Sequence, residues 1–296
     1  MSTGAVPAVG PRRSLALSPP PHAYFVGSAI FHYLGPAFAV LLFVRVEPLG
    51  VAWFRIVSAA VILGLWRRPW RALAGADRSA RRTVAGLALV FATMNVSFYV
   101  AIDRLPLGTV AAIEFLPVIA LAAAGARTGR NALALGLAVA GVFLLAHVEL
   151  EGDPVGVGFA LANAALFAMY IVLAHRLAHS PSIGRLDGLA AAMLLAAIVV
   201  TVGAGWSAAP AIGDPVAIAA GIGVGVSSSV IPYVFDQLAM ARLSRATYSL
   251  MVALLPATAT VIGILVLGQV PTPLEVAAVA LVVTAVAVHR ERANRA

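Results

Sequence analysis

Three charged side chains lie inside apolar sequence: Glu114 in LGTVAAIEFLPVIAL, Asp236 in IPYVFDQLAM and Arg55 in VAWFRIVSAAV. An ionised acid near a bilayer centre costs about 2.5–3.5 kcal/mol on insertion scales, so Glu114 has to be protonated or compensated. Its chemistry would be proton or substrate coupling; the plainer role is a buried acid satisfied by a neighbour such as Arg55. Asp236 follows Pro232 by one turn. It belongs to the protein interior if residues 238–241 prolong the helix, and to the interface otherwise. Arg55 suits a substrate carboxylate, a counter-charge for Glu114, or a position near the outer surface. Asn95 and Tyr99 are four residues apart and Asn163 and Tyr170 seven apart, each pair on one helix face. His32 stands beside Pro36, and Tyr233 follows the serines at 227–229. Singly, each of these reads as a helix–helix hydrogen bond. Together they could line a polar chamber for a small zwitterion.

The elements that must position these groups are membrane helices. Of 296 residues, 61% are hydrophobic and 11% charged, against about 25% charged in soluble domains. Continuous apolar runs of roughly 17–25 residues cross a bilayer as helices, whereas barrel strands alternate. The runs predict ten spans, at 24–44, 51–66, 83–102, 107–124, 131–148, 155–174, 188–206, 216–235, 246–267 and 274–288. The fold class is therefore all-α and polytopic. Residues 1–22 read as a disordered cytoplasmic tail, and 289–296 as a second cytoplasmic tail.

The net charge of +8 comes from arginine alone, without lysine. With the amino terminus in the cytoplasm, seventeen of the twenty arginines fall in inner segments and only Arg45 and Arg104 in outer loops. This places both termini inside and gives the basic residues a topological role rather than a nucleic-acid partner. The acids Glu149, Glu151 and Asp153 read as a solvated outer loop. There is no cysteine, hence no disulfide or thiol chemistry, and without lysine no phosphate-binding GxxxxGK[ST] loop. His175 and His179 have metal-compatible spacing but no accompanying acid, so neither a metal nor a cofactor is expected.

Ten spans divide into five and five, 24–148 and 155–288, and an odd number per half inverts the second copy in the membrane. An echo supports the division: Arg104-Leu105 matches Arg242-Leu243, Thr109 matches Thr247, and Pro117 matches Pro256. Pro36, Pro117, Pro232 and Pro256 interrupt spans and free the carbonyls of His32, Ile113, Ser228 and Val252, which need partners away from lipid. Gly221, Gly225 and Ser229, like Gly136 and Ala140, repeat at four-residue spacing and suit close helix packing.

Three stretches, GVAWFRIVSAAVILGLWRRPWR (50–71), MNVSFYVAIDRLPLGTVAAIEFLPVIAL (94–121) and IPYVFDQLAMARLSRATYSLMVALLPATATVIGILVLGQVPTP (231–273), resemble the EamA-type members of the drug/metabolite transporter superfamily. Among these the chain is most similar to bacterial threonine/homoserine exporters. The resemblance implies a multi-pass protein of the bacterial inner membrane with inverted five-helix repeats and a central cavity. It implies ion-driven export of amino acids or related metabolites, with small-molecule substrate and lipid as partners. Glu114 matches the family's acid in the fourth helix, and Asp236 stands where those exporters carry glutamate. Leu255 replaces the acid expected before the ninth-helix proline, and Gly268-Gln269 replaces Gly-Glu. Alternatives of other kinds are an exporter of unrelated drugs, an intramembrane enzyme acting on lipid-linked substrates, and a structural membrane subunit. Oligomeric state is not readable from the sequence.

Overall fold

The computed structural model describes residues 19–117, 128–150, 153–243, 248 and 254–288. The expectations for residues 1–18 and for the tail from 289, and those for Arg127, Glu151, Arg245, Thr247 and the Val252 carbonyl, lie outside the described residues. Every regular element among the described residues is helical: α1 (Pro21–Leu42), α2 (Pro48–Arg67), the short α3 (Pro69–Gly75), α4 (Arg78–Arg104), α5 (Leu107–Glu114), α6 (Gly129–Leu150), α7 (Pro154–Ala178), α8 (Arg185–Ala208), α9 (Pro215–Gly225), α10 (Ile231–Met240), α11 (Leu254–Leu267) and α12 (Pro273–Val288). Among the described residues, six stretches are long and apolar enough to cross a membrane: α1, α2, α4, α7, α8 with the turn after it, and α9 through α10. Large apolar side chains such as Leu41, Leu65, Val202 and Leu265 point outward, the reverse of a water-facing surface.

Local chemistry explains where the helices begin. Proline opens α1, α2, α3, α7 and α9, where its missing N–H costs nothing. Asp77, Asp153 and Asp214 cap α4, α7 and α9, accepting from the amides of Ala80 (2.7 Å), Gly156 (2.8 Å) and Val216 (2.9 Å). The Asp77 cap is the reason α4 starts at Arg78, ahead of the apolar run that begins at 83. Asp153 is thus a helix cap rather than merely part of a solvated acidic loop. It also pairs with Arg104 at 3.0 Å, and Asp214 pairs with Arg45 at 3.3 Å, so both loop arginines are ion-paired. The capped amides first, and then these arginines, hold both carboxyls below the usual carboxylate range. Gly268 closes α11 with φ 65°, a left-handed conformation that glycine adopts without a Cβ clash.

Packing joins the two halves of the chain. α2 lies on α8 and α9, α4 on α7 and α8, α6 on α12, α1 on α10 and α11, and α5 on α11 and α7. The Gly221, Gly225, Ser229 stripe turns toward α2. A Cβ on Gly221 would strike Phe54, and one on Gly225 would strike the Ser58 side chain and lie 2.9 Å from the Arg55 carbonyl oxygen. Removing those carbons is what lets the backbones approach. Gly136 and Ala140 do not serve the same purpose: both are exposed on α6, and the space beside Gly136 is open. Gln269 accepts from the amide of Leu107 at 3.2 Å, tying the loop after α11 to the start of α5.

Candidate functional site

The site begins with a defect in the helix around Pro232. Residues Val226–Val230 form a π-helical turn between α9 and α10. Proline has no N–H, so the carbonyl of Ser228 loses its helical donor. Arg55 of α2 supplies a replacement. Its Nη2 donates to the Ser228 carbonyl at 2.8 Å and to Tyr233 Oη at 3.3 Å, while Nε donates to Ser229 Oγ at 2.8 Å. The rings of Phe98, Tyr99 and Tyr233 lie 5.6–6.0 Å from the guanidinium carbon, within reach of a cation–π attraction. Arg55 is buried, yet it has no carboxylate in ion-pair contact among the described residues.

Glu114 is the last residue of α5, at a second interruption. Pro117 follows by three residues, and the amide of Phe115 turns back tightly to the Ala112 carbonyl at 3.3 Å. The Glu114 carboxyl is buried and held by two donors from different helices. Tyr33 Oη of α1 donates to Oε2 at 3.0 Å, and Asn163 Nδ2 of α7 donates to Oε1 at 2.9 Å. Arg55 is a nearby charge rather than its bonded partner. Glu114, Arg55, His32, Asn95, Asn163 and Tyr233 line one small cavity, closed on its apolar side by Met94 and Phe98. A buried cation and a buried acid thus line one space of about 10 Å³, which has to widen before anything much larger than a water enters.

Asp236 forms a separate cluster. α10 continues to Met240, so Asp236 is buried inside the protein rather than at an interface. Ser28 Oγ of α1 donates to Oδ1, and Tyr170 Oη of α7 donates to Oδ2 at 2.6 Å. An aromatic layer lies between the two acids. Tyr233 sits 4.8 Å from Phe91 and 5.4 Å from Tyr170, and Phe167 packs on both Tyr170 and His32.

The structure therefore gathers His32, Arg55, Asn95, Glu114, Asn163 and Tyr233 around one cavity, and places Tyr170 on Asp236 and Tyr99 beside Arg55. Tyr33 and Ser28, which complete the two carboxyl sites, escape the sequence reading. Ser28 is four residues before His32 and five before Tyr33, so polar spacing along α1 was the available signal. Leu255 is buried.

Comparison with known proteins follows the same lines. Residues 154–289 match the EamA-like transporter family. The chain is 30% identical over 260 residues to the threonine/homoserine exporter RhtA of Escherichia coli (strain K12), covering 85% of this chain and 84% of that one. It is 29% identical over 265 residues to the exporter of the same name from Salmonella typhimurium (strain LT2), with the same coverage, 85% and 84%. A protein of known crystal structure superposes with a TM-score of 0.61 at 18% identity, over 90% of this chain and 97% of that one, a likeness of fold alone.

Proposed function

Because this chain belongs to the EamA-like transporter family, we propose that it is a secondary transporter exporting small amino acids, of the threonine and homoserine kind, across the bacterial inner membrane. Both termini are cytoplasmic, and the positions of the arginines support this orientation. The ten spans form two inverted five-helix repeats that rock around the central cavity in ion-coupled alternating access. Helix pairing supports the repeat. If α1, α2, α4, α5 and α6 correspond in order to α7, α8, α9–α10, α11 and α12, the α4–α7 contact maps onto α10–α1. The α2–α8, α5–α11 and α6–α12 contacts then map onto themselves.

The observation that carries the reading is the presence of Arg55 and Glu114 on the wall of one buried cavity. Arg55 takes the substrate carboxylate, with its other donors already fixed on Ser228 and Ser229. Glu114 faces the ammonium group and exchanges it for a proton, held in either state by Tyr33 and Asn163. Asp236 is a second coupling candidate, and Tyr233, His32 and Asn163 complete the polar lining. The test is efflux of threonine or homoserine from proteoliposomes, with and without a pH gradient. The gradient is expected to accelerate efflux by the parent protein and not by Glu114→Gln. If that variant transports and couples like the parent, the role of Glu114 is wrong.

A further inference from the structure

Asn95 is the residue in the cavity whose chemistry is unspent. Its side chain is on α4, 1% exposed, and neither its Nδ2 nor its Oδ1 has a hydrogen-bond partner among the described residues. A buried polar atom left unpaired costs about 1–3 kcal/mol. Other polar groups of the wall are engaged: Arg55 holds Ser228, Ser229 and Tyr233, and Glu114 is held by Tyr33 and Asn163, while His32 packs against the rings of Tyr33, Phe167 and Tyr233. Asn163 keeps one free atom, Oδ1, beside the acid. Asn95 is therefore neither a helix–helix clasp nor part of either charge site, although it lines the same cavity.

We propose that Asn95 is the specificity residue of this transporter, reading a hydroxyl on the substrate side chain. The inference rests on the zwitterion reading above. With the carboxylate on Arg55 and the ammonium on Glu114 and Asn163 Oδ1, the amide of Asn95 is left for the third substituent. A hydroxyl both donates and accepts, so it pairs with either atom of that amide. A methyl group of the same size pairs with neither and leaves the buried amide stranded, and a site of this kind rejects the analogue that lacks the hydroxyl. The ligand class is small hydroxy amino acids, in preference to their apolar isosteres.

The experiment is counterflow into proteoliposomes of L-threonine against L-valine, and of L-homoserine against L-norvaline. The parent protein should favour each hydroxy amino acid by about 10-fold or more, the size of one buried hydrogen bond. In Asn95→Leu that ratio should collapse toward one, because threonine and homoserine flux falls far more than valine and norvaline flux. Asn95→Ala, which removes the amide without adding bulk, reads the same ratio should the leucine variant not fold. A ratio that survives both substitutions, or fluxes that fall in step, would overturn the role of Asn95 and leave the zwitterion pocket standing. If the parent carries none of the four amino acids, the pocket reading itself is wrong and the inference falls with it.

Discussion

Arg55 donates to the carbonyl of Ser228 at 2.8 Å, the carbonyl that Pro232 leaves without its helical amide. A gap in the hydrogen bonding before α10 and a buried cation on α2 thus complete each other. Arg55→Leu strands that carbonyl and the Ser229 hydroxyl, at about 1–3 kcal/mol. Pro232→Ala gives the carbonyl an amide of its own. The two substitutions should therefore be non-additive, with a coupling of about 1 kcal/mol. Thermal unfolding of the four proteins in detergent measures it, and additive losses would show that the two features are independent.

Tyr33 and Asn163 each donate one hydrogen bond to Glu114. Tyr33→Phe and Asn163→Leu should each lower the kcat/KM of efflux by roughly 10–100-fold, as for loss of a hydrogen bond to a charged group. In a Glu114→Gln background the further loss should shrink sharply. Equal losses in both backgrounds would show that the two residues act elsewhere.

Asp236 is satisfied by hydroxyl groups from two helices. Asp236→Asn keeps a side-chain acceptor for one of them and should cost about 1 kcal/mol of stability. Asp236→Leu removes the acceptor for both, leaving Ser28 Oγ only the Pro232 carbonyl at 3.2 Å, and should cost more than Asp236→Asn. Melting temperatures of the two variants decide the order.

Gly225 is expected to tolerate no side chain, since a Cβ meets Ser58 and the Arg55 carbonyl. Gly225→Val should destabilise by about 1–3 kcal/mol through overpacking. Gly136→Ala, with open space beside it, is the matched control and should leave the melting temperature unchanged or slightly raised.

The caps Asp153 and Asp214 have carboxyls held below the usual range in the folded protein. A depressed carboxyl stabilises the fold above its unfolded pKa, about 3.9, and that contribution disappears as the pH falls through the folded value. Stability should therefore drop on acidification below about pH 4. Asp153→Asn with Asp214→Asn keeps the caps but removes the charge, so the acid limb of a melting-temperature profile should flatten.

Much of this was legible in the sequence, for physical reasons. An apolar run must be a helix where the surroundings are lipid, so the six stretches among the described residues that are long and apolar enough to cross a membrane coincide with expected spans. Pro232 announced an orphan carbonyl, and the nearest buried donor, Arg55, answers it. What a single sequence conceals is which side chain meets which across helices. Sequence offers Arg55 as one neighbour that could satisfy Glu114, whereas the donors are Tyr33 and Asn163. Tyr33 lies far from Glu114 in the chain, and no local spacing rule connects them. Helix α4 begins five residues ahead of the apolar span at 83, because hydropathy ignores the arginines of its first turns while Asp77 supplies the cap.

Asn163 and Tyr170 stand seven residues apart on α7, about 10 Å along its axis, and each clasps a different acid. α1 does the same with Tyr33 and Ser28. A stiff rod bearing two latches cannot slide and open only one. Any lengthwise shift of either helix loosens both acids in a single stroke, so their grips are geared together by the backbone itself.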